Sequence, residues 1–169
     1  TKCGIEVHNF YIPAGGDVPD IALNLKFKYK LDMLQQLTSW FKKEKHSSNK
    51  IILTGDLNVA PLEHDVWSHK QLLKVVSHTP EEVEKLIALY NSINFRDAVR
   101  KFTSDSEKLY SWWSYRAKDW QKANKGRRLD HIWVTESLYN NVTHAEISKH
   151  IRGLEGPSDH APVSIHISI

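Results

Sequence analysis

The stretch Ile51-Ile52-Leu53-Thr54-Gly55-Asp56-Leu57-Asn58 sets the frame for the rest of the chain. Four residues of short apolar strand run straight into a glycine and an Asp-x-Asn group. A fully apolar strand is one buried on both faces, as in a sheet covered by other layers. Polar groups clustered where such a strand ends are aimed to one side of the sheet. A carboxylate and an amide placed together suit a site that orients water beside a phosphate. The alternative is an Asx turn with its own local hydrogen bonds.

Upstream, Ile5, Val7, Asn9 and Tyr11 alternate with Glu6, His8, Phe10 and Ile12. Both sets contain apolar groups, so a strand buried on two sides is expected. Pro13 to Pro19 reads as a loop. Phe27, Leu31, Leu34, Leu37 and Phe41 then recur at helical spacing with lysines between them, and Ser47-Ser48-Asn49 stops the helix. Downstream, Thr79-Pro80-Glu81-Glu82 is a helix start, with a cap, a proline at the first position and an acid three after the cap. Val83, Leu86, Ile87 and Tyr90 are its expected buried face. Tyr110 to Tyr115 and Arg127 to Val134 read as strands joined by a lysine-bearing loop. In the last strand Val163, Ile165, Ile167 and Ile169 alternate with Ser164, His166 and Ser168. Strands mixed with helices, and an antiparallel-looking C-terminal half, predict an α/β fold: a layered β-sandwich flanked by helices.

The chain has 169 residues, enough for one domain, and 40% of them are hydrophobic, which supports a packed core over disorder. The single cysteine, Cys3, excludes an internal disulfide framework and points to a reducing, cytoplasmic compartment. Cys3 itself is expected to be a small buried hydrophobe. A net charge of +3 is compatible with a polyanionic partner. No apolar run is long enough to span a bilayer. The chain opens on Thr1, and its first residues already read as a core strand, so a preceding segment is expected.

Three further clusters sit where strands end. Arg128-Leu129-Asp130-His131 places charge in an apolar strand, with Arg128 and Asp130 projecting on one face. A buried acid is costly unless paired, so this is a site or a structural Arg–Asp pair. Ser158-Asp159-His160-Ala161-Pro162-Val163 sets a hard oxygen ligand, suited to Mg²⁺, beside an imidazole able to contact a phosphate or move a proton. The alternative is solvated surface. In Tyr110-Ser111-Trp112-Trp113-Ser114-Tyr115-Arg116, four aromatics fall in six residues. Either both tryptophans are core, or one face is a pocket that stacks a sugar or base beside Arg116.

Taken together and in this order, Gly-Asp-Leu-Asn-Val-Ala-Pro, Ser-Trp-Trp-Ser-Tyr-Arg, Arg-Leu-Asp-His and Ser-Asp-His-Ala-Pro-Val resemble the exonuclease III branch of the endonuclease/exonuclease/phosphatase superfamily, which includes the abasic-site endonucleases. The aromatic segment favours that branch over the phosphoinositide phosphatase, sphingomyelinase and secreted DNase branches. The resemblance runs from about Ile5 to the C-terminus. It implies that Tyr11 hydrogen-bonds the scissile phosphate, that Asp56 activates or positions the attacking water, and that Asn58 orients it. It implies that Asp130 orients the catalytic His160, and that Asp159 belongs to the metal shell with Asp56 and Asn58 beside it. Trp112 resembles a wall of the pocket for a base-less sugar, with Tyr115 and Arg116 as further substrate contacts. Ala14 and Asp17 depart from polar or basic residues that some abasic endonucleases use against DNA. The family's main metal-binding glutamate has no counterpart here, so residues 1–169 resemble the C-terminal portion of a single domain, incomplete at the N-terminus.

The implied activity is metal-dependent hydrolysis of DNA phosphodiesters with Mg²⁺ or Mn²⁺: cleavage at abasic sites and 3′-to-5′ trimming in base-excision repair. The implied partners are double-stranded DNA with abasic sites or 3′ ends and the upstream segment of the same enzyme, with no membrane. Two alternatives share the residues: a phosphomonoesterase acting on a small phosphorylated molecule, and a non-catalytic DNA-binding relative.

Overall fold

The computed structural model describes residues 3–168. In chain order the elements are β1 (Glu6–Asn9), α1 (Leu25–Glu44), β2 (Ile51–Asp56), α2 (His69–Leu72), α3 (Pro80–Tyr90), β3 (Arg96–Asp97), β4 (Trp112–Trp113), α4 (Trp120–Ala123), β5 (Gly126–Arg127), β6 (Asp130–Val134), α5 (Glu136–Tyr139), β7 (Val142–Ile147) and β8 (Val163–Ile167). The central sheet has the order β1-β2-β6-β3, with β1 parallel to β2 and the other pairs antiparallel. Two ribbons, β4-β5 and β7-β8, complete the strands.

Side chains alternate across the sheet, and each face finds its own cover. Ile51 and Leu53 of β2 and Trp133 of β6 bury against Leu34 and Phe41 of α1 and Leu86 and Leu89 of α3. Ile52, Ile132 and Val134 turn to the opposite face, with Val142, Ile165 and Ile167 of the β7-β8 ribbon. This is the expected layered α/β arrangement. The helical stripe of α1 is as expected, and the Thr79–Glu82 capping box starts α3.

Several expectations change. The first strand is short and lies at the sheet edge; Ile5 and Ile12 are buried, but Val7 is 55% exposed, so it is not covered on both faces. Cys3 precedes that strand and is exposed. On α3 the buried positions include Leu86 and Leu89, while Ile87 points outward, because the helix meets α1 and the sheet slightly off the expected face. The run Arg127 to Val134 breaks into β5 and β6: Leu57 and Arg128 donate their backbone N–H groups to Leu129 and Asp65 instead of extending one ladder. The aromatic segment keeps only Trp112 and Trp113 in strand. Ile169 lies outside the described residues.

Candidate active site

The site is built at the ends of β1, β2 and β6 and at the turn before β8. Gly55 makes the approach possible. Its φ is +132°, and a Cβ there would stand 1.9 Å from the Phe10 carbonyl oxygen. Only glycine lets the chain carrying Tyr11 pass so close to β2. Beyond it, Ile12 donates its N–H to Asp56 O at 2.9 Å, locking the two segments together.

Asp56 and Asn58 do form a local turn. The Asn58 backbone N–H donates to Asp56 Oδ1 at 3.0 Å, and its side-chain amide donates to Asp56 Oδ2 at 2.9 Å and to Ile12 O at 2.8 Å. Asn58 holds a left-handed φ of 53°. Its amide is thus spent on fixing the Asp56 carboxylate in place. The local network is present, and it holds the Asp56 carboxylate on the wall of a cleft.

Asp130 sits behind His160. His160 Nδ1 donates to Asp130 Oδ2 at 2.8 Å, the pairing expected from sequence. Ser111 Oγ donates to the same oxygen at 2.6 Å and accepts from the Leu129 and Asp130 N–H groups. The other imidazole nitrogen, Nε2, points toward Asp56 Oδ2 at 3.9 Å. Burial pulls the His160 pKa down, but the Asp130 hydrogen bond and the charges of Asp130, Asp56 and Asp159 outweigh it, and the net shift is upward. Burial, followed by the charge of Asp130, raises the Asp56 carboxyl to about 6.

Asp159 is placed by the aromatic segment. Trp112 Nε1 donates to Asp159 Oδ2 at 2.8 Å, and the Trp113 N–H donates to the Asp159 carbonyl at 2.9 Å. Trp113 is core and Trp112 is partly buried on the cleft, so the segment splits between packing and the cleft wall.

Tyr11, Asp56, Asn58, Trp112, Arg116, Asp159 and His160 all line one cleft of about 670 Å³. Tyr11 is 66% exposed there. Asp130 reaches the cleft only through His160. Tyr115 is not on the lining; its hydroxyl donates to Pro157 O. Arg128 is not paired with Asp130. It is fully buried and divides its guanidinium between Asp65 and Asp97, because it precedes β6 and turns to the opposite side.

Three contributors were not expected from the sequence as site residues. Trp67 lines the cleft with Lys125 4.6 Å above its ring centroid. Arg127 lies over Trp112 at 5.3 Å and donates to Val76 O and Ser77 Oγ. Beneath the cleft, buried Lys30 donates to Asn58 O, Ala14 O and Glu82, and Glu82 accepts from the Ser77 and Thr79 N–H groups. A lysine inside the apolar stripe of α1 was the available signal for that cluster.

Comparisons with known proteins identify the family and the fold. The profile of the Endonuclease/Exonuclease/phosphatase family matches residues 4–160. The chain is 33% identical to exodeoxyribonuclease III of Haemophilus influenzae over 96% of its length, and 34% identical to an exodeoxyribonuclease of Bacillus subtilis over 85%. Among solved structures, an AP endonuclease from Archaeoglobus fulgidus superposes with a TM-score of 0.90 at 28% identity, covering 98% of this chain. A 3′-5′ exonuclease from Neisseria meningitidis superposes with a TM-score of 0.86 at 28% identity over the same 98%. The chain spans 62% of the Haemophilus protein, 54% of the Bacillus protein and 62% of each of the two solved chains. With the profile spanning nearly the whole sequence and the motif residues meeting in one cleft, the chain belongs to the endonuclease/exonuclease/phosphatase family.

Proposed function

We propose that this chain is the C-terminal portion of a DNA phosphodiesterase that cleaves beside abasic sites and trims 3′ ends. The observation that carries the reading is the junction of His160, backed by Asp130, with Asp56 and Tyr11 in one cleft walled by Trp112. In this reading Asp56 takes a proton from the attacking water or aims it, with a carboxyl raised toward neutral pH as a general base needs. Protonated His160 and the Tyr11 hydroxyl donate to phosphoryl oxygens as negative charge builds on them. Asn58 keeps Asp56 from turning away, and Asp130 keeps His160 in one orientation. Trp112 is the wall for a base-less or terminal sugar, with Arg116 beside it.

The residues present fit part of a divalent-cation site. Burial first and the charge of Asp130 second raise the Asp56 carboxyl, and a cation would offset both. Asp159 and Asp56, with Asn58 beside them, would hold Mg²⁺ or Mn²⁺ in part, since Mg²⁺ demands near-octahedral oxygen ligation. When bound, the ion supplies charge stabilisation on the phosphate. Among the described residues no group of three or more His, Cys, Asp or Glu side chains is placed to hold a metal. The upstream segment of the longer enzyme supplies the missing acid in this reading, consistent with the 62% of the Haemophilus relative that the chain spans.

A basic flank, Lys125 and Arg127 on the cleft and Lys118 and Lys122 nearby, favours nucleic acid over a small phosphorylated molecule. Among the described residues no helix is long and apolar enough to cross a membrane. A bacterial cytoplasmic setting goes with this reading, supported by the bacterial relatives.

The test is cleavage of an abasic-site duplex by the chain alone and by the chain joined to the N-terminal segment of a relative, with Mg²⁺ and with chelator. The chain alone should be inactive, and the joined protein should cut only with metal. His160→Ala in the joined protein should lower turnover by roughly 10²-fold or more, the scale of one acid–base group. Cleavage by the chain alone at a rate like that of full-length relatives would refute the missing-ligand account. No cleavage by the joined protein would refute the whole reading.

A further inference from the structure

Beside the cleft lies a second cavity of about 390 Å³, and the two share Ser114, Arg116 and Lys125. The loop from β4 to β5 builds it. Asp119 caps α4 by accepting from the Lys122 N–H at 2.9 Å, and Asn124 ends that helix in a left-handed conformation. Asn124 Oδ1 accepts from Trp113 Nε1 at 3.1 Å, which fixes the buried indole. Trp120 leans on Trp113 with ring centroids 5.2 Å apart, and is partly buried. Arg152 and Lys149 lie 5.0 and 5.7 Å from the Trp120 ring centroid and hold it from outside the loop.

The rest of the lining is small. Ala117 and Ala123 stand beside Trp120 where larger side chains would fill the space. Neither Arg116 nor Lys125, on the ridge between the cavities, has a carboxylate partner among the described residues. The loop carries Arg116, Lys118, Lys122 and Lys125 against one acid, Asp119. An aromatic face in an apolar recess, with cations free of carboxylate partners at its mouth, is the chemistry that binds an unstacked base and its phosphate.

We propose that this second cavity is a base subsite. An unstacked base of the DNA strand lying in the cleft turns in against Trp120, and the phosphate beside it sits on the ridge between Arg116 and Lys125. The inference rests on the reading that the cleft takes DNA, and it adds a contact several residues from the proposed chemistry.

The test is equilibrium binding of the whole chain, with chelator present, to short duplexes carrying one abasic analogue. A second base-less nucleotide is introduced at each neighbouring position in turn. One position is expected where losing the base weakens wild-type binding about tenfold, the scale of one base–aromatic stack. Trp120→Ala should weaken binding to the intact duplex equally and be indifferent to base loss at that position. Trp120→Phe should recover most of the affinity. Ala117→Phe, which fills the recess and keeps Trp120, should weaken binding as Trp120→Ala does, so the proposal stays testable if the alanine variant misfolds. Wild-type binding that ignores every base loss and both fillings overturns the subsite alone. No binding by wild type overturns the subsite and the DNA reading of the cleft together.

Discussion

Two buried charge clusters flank the sheet ends, and they do different work. One joins Lys30 to Glu82, both with fully buried side chains. The other joins Arg128 and Arg100 to Asp65 and Asp97. Lys30 spends its remaining donors on backbone carbonyls of Ala14 and Asn58, the turns that follow Tyr11 and Asp56. Glu82 accepts from the N–H of Ser77, which is held at a left-handed φ of 88° on the cleft wall. This cluster ties three loops of the cleft to one point. Arg128 instead spends a planar fork on two carboxylates, and its cluster faces away from the cleft. A compact ammonium gathers carbonyls from different directions, whereas a guanidinium locks carboxylates in one plane. The lesson is that a buried ion pair is read by what else its members touch.

The largest effect should come from breaking the second cluster. Asp65→Ala leaves Arg128 with Asp97 alone and Arg100 without its short carboxylate contact, and removing one partner of such a buried network costs on the order of 3–5 kcal/mol. Urea unfolding should show that loss. A loss under about 1 kcal/mol would mean the network is dispensable.

His131 sharpens the same side. It is fully buried against the positive charge of Arg128, and burial first and that charge second lower its pKa to about 4. The unfolded histidine titrates near 6.5, so the folded state resists a proton that the unfolded state accepts. Stability is complete above about pH 6.5 and falls as pH drops toward 4, by on the order of 3 kcal/mol. His131→Phe should lose that share of the pH slope. An identical slope in the variant would remove His131 from the cluster.

Lys30 tests the first cluster. Lys30→Met with Glu82→Gln removes both charges and keeps acceptors for Ser77 and Thr79. The double variant should recover much of the stability that Lys30→Met alone loses. The carbonyls of Ala14 and Asn58 still lack their donor, so turnover of the joined protein should stay down by on the order of 10²-fold, the scale of a small misplacement at a site. Full turnover in the double variant would make Lys30 a stability residue only. The smallest effect belongs to the exposed Arg96–Glu136 pair, where Glu136→Gln should change stability by less than about 1 kcal/mol in thermal melts.

Much of this molecule is legible in its residues because local chemistry and final position agree. The stripe of α1, the capping box of α3 and the apolar strand leading to Asp56 are set by side-chain periodicity and by short-range hydrogen bonds. The motif residues were legible for a related reason: Asp-x-Asn, Asp-His and the paired tryptophans are unusual at strand ends. What tertiary structure alone decided are partnerships across long separations. Whether Arg128 pairs with Asp130, two residues away, or with Asp65, on the far side of three helices, depends on the break between β5 and β6, which is a matter of ladder register. The Lys30–Glu82 pair needs α1 and α3 to lie side by side before its desolvation is repaid by contact. Likewise Arg127 over Trp112, and Trp120 beside Ala117 and Ala123, exist only once the β4-β5 loop has folded back. Periodicity names the buried face of one element; which charges meet beneath it is settled only when two elements pack, because the cost of burying each charge depends on the other.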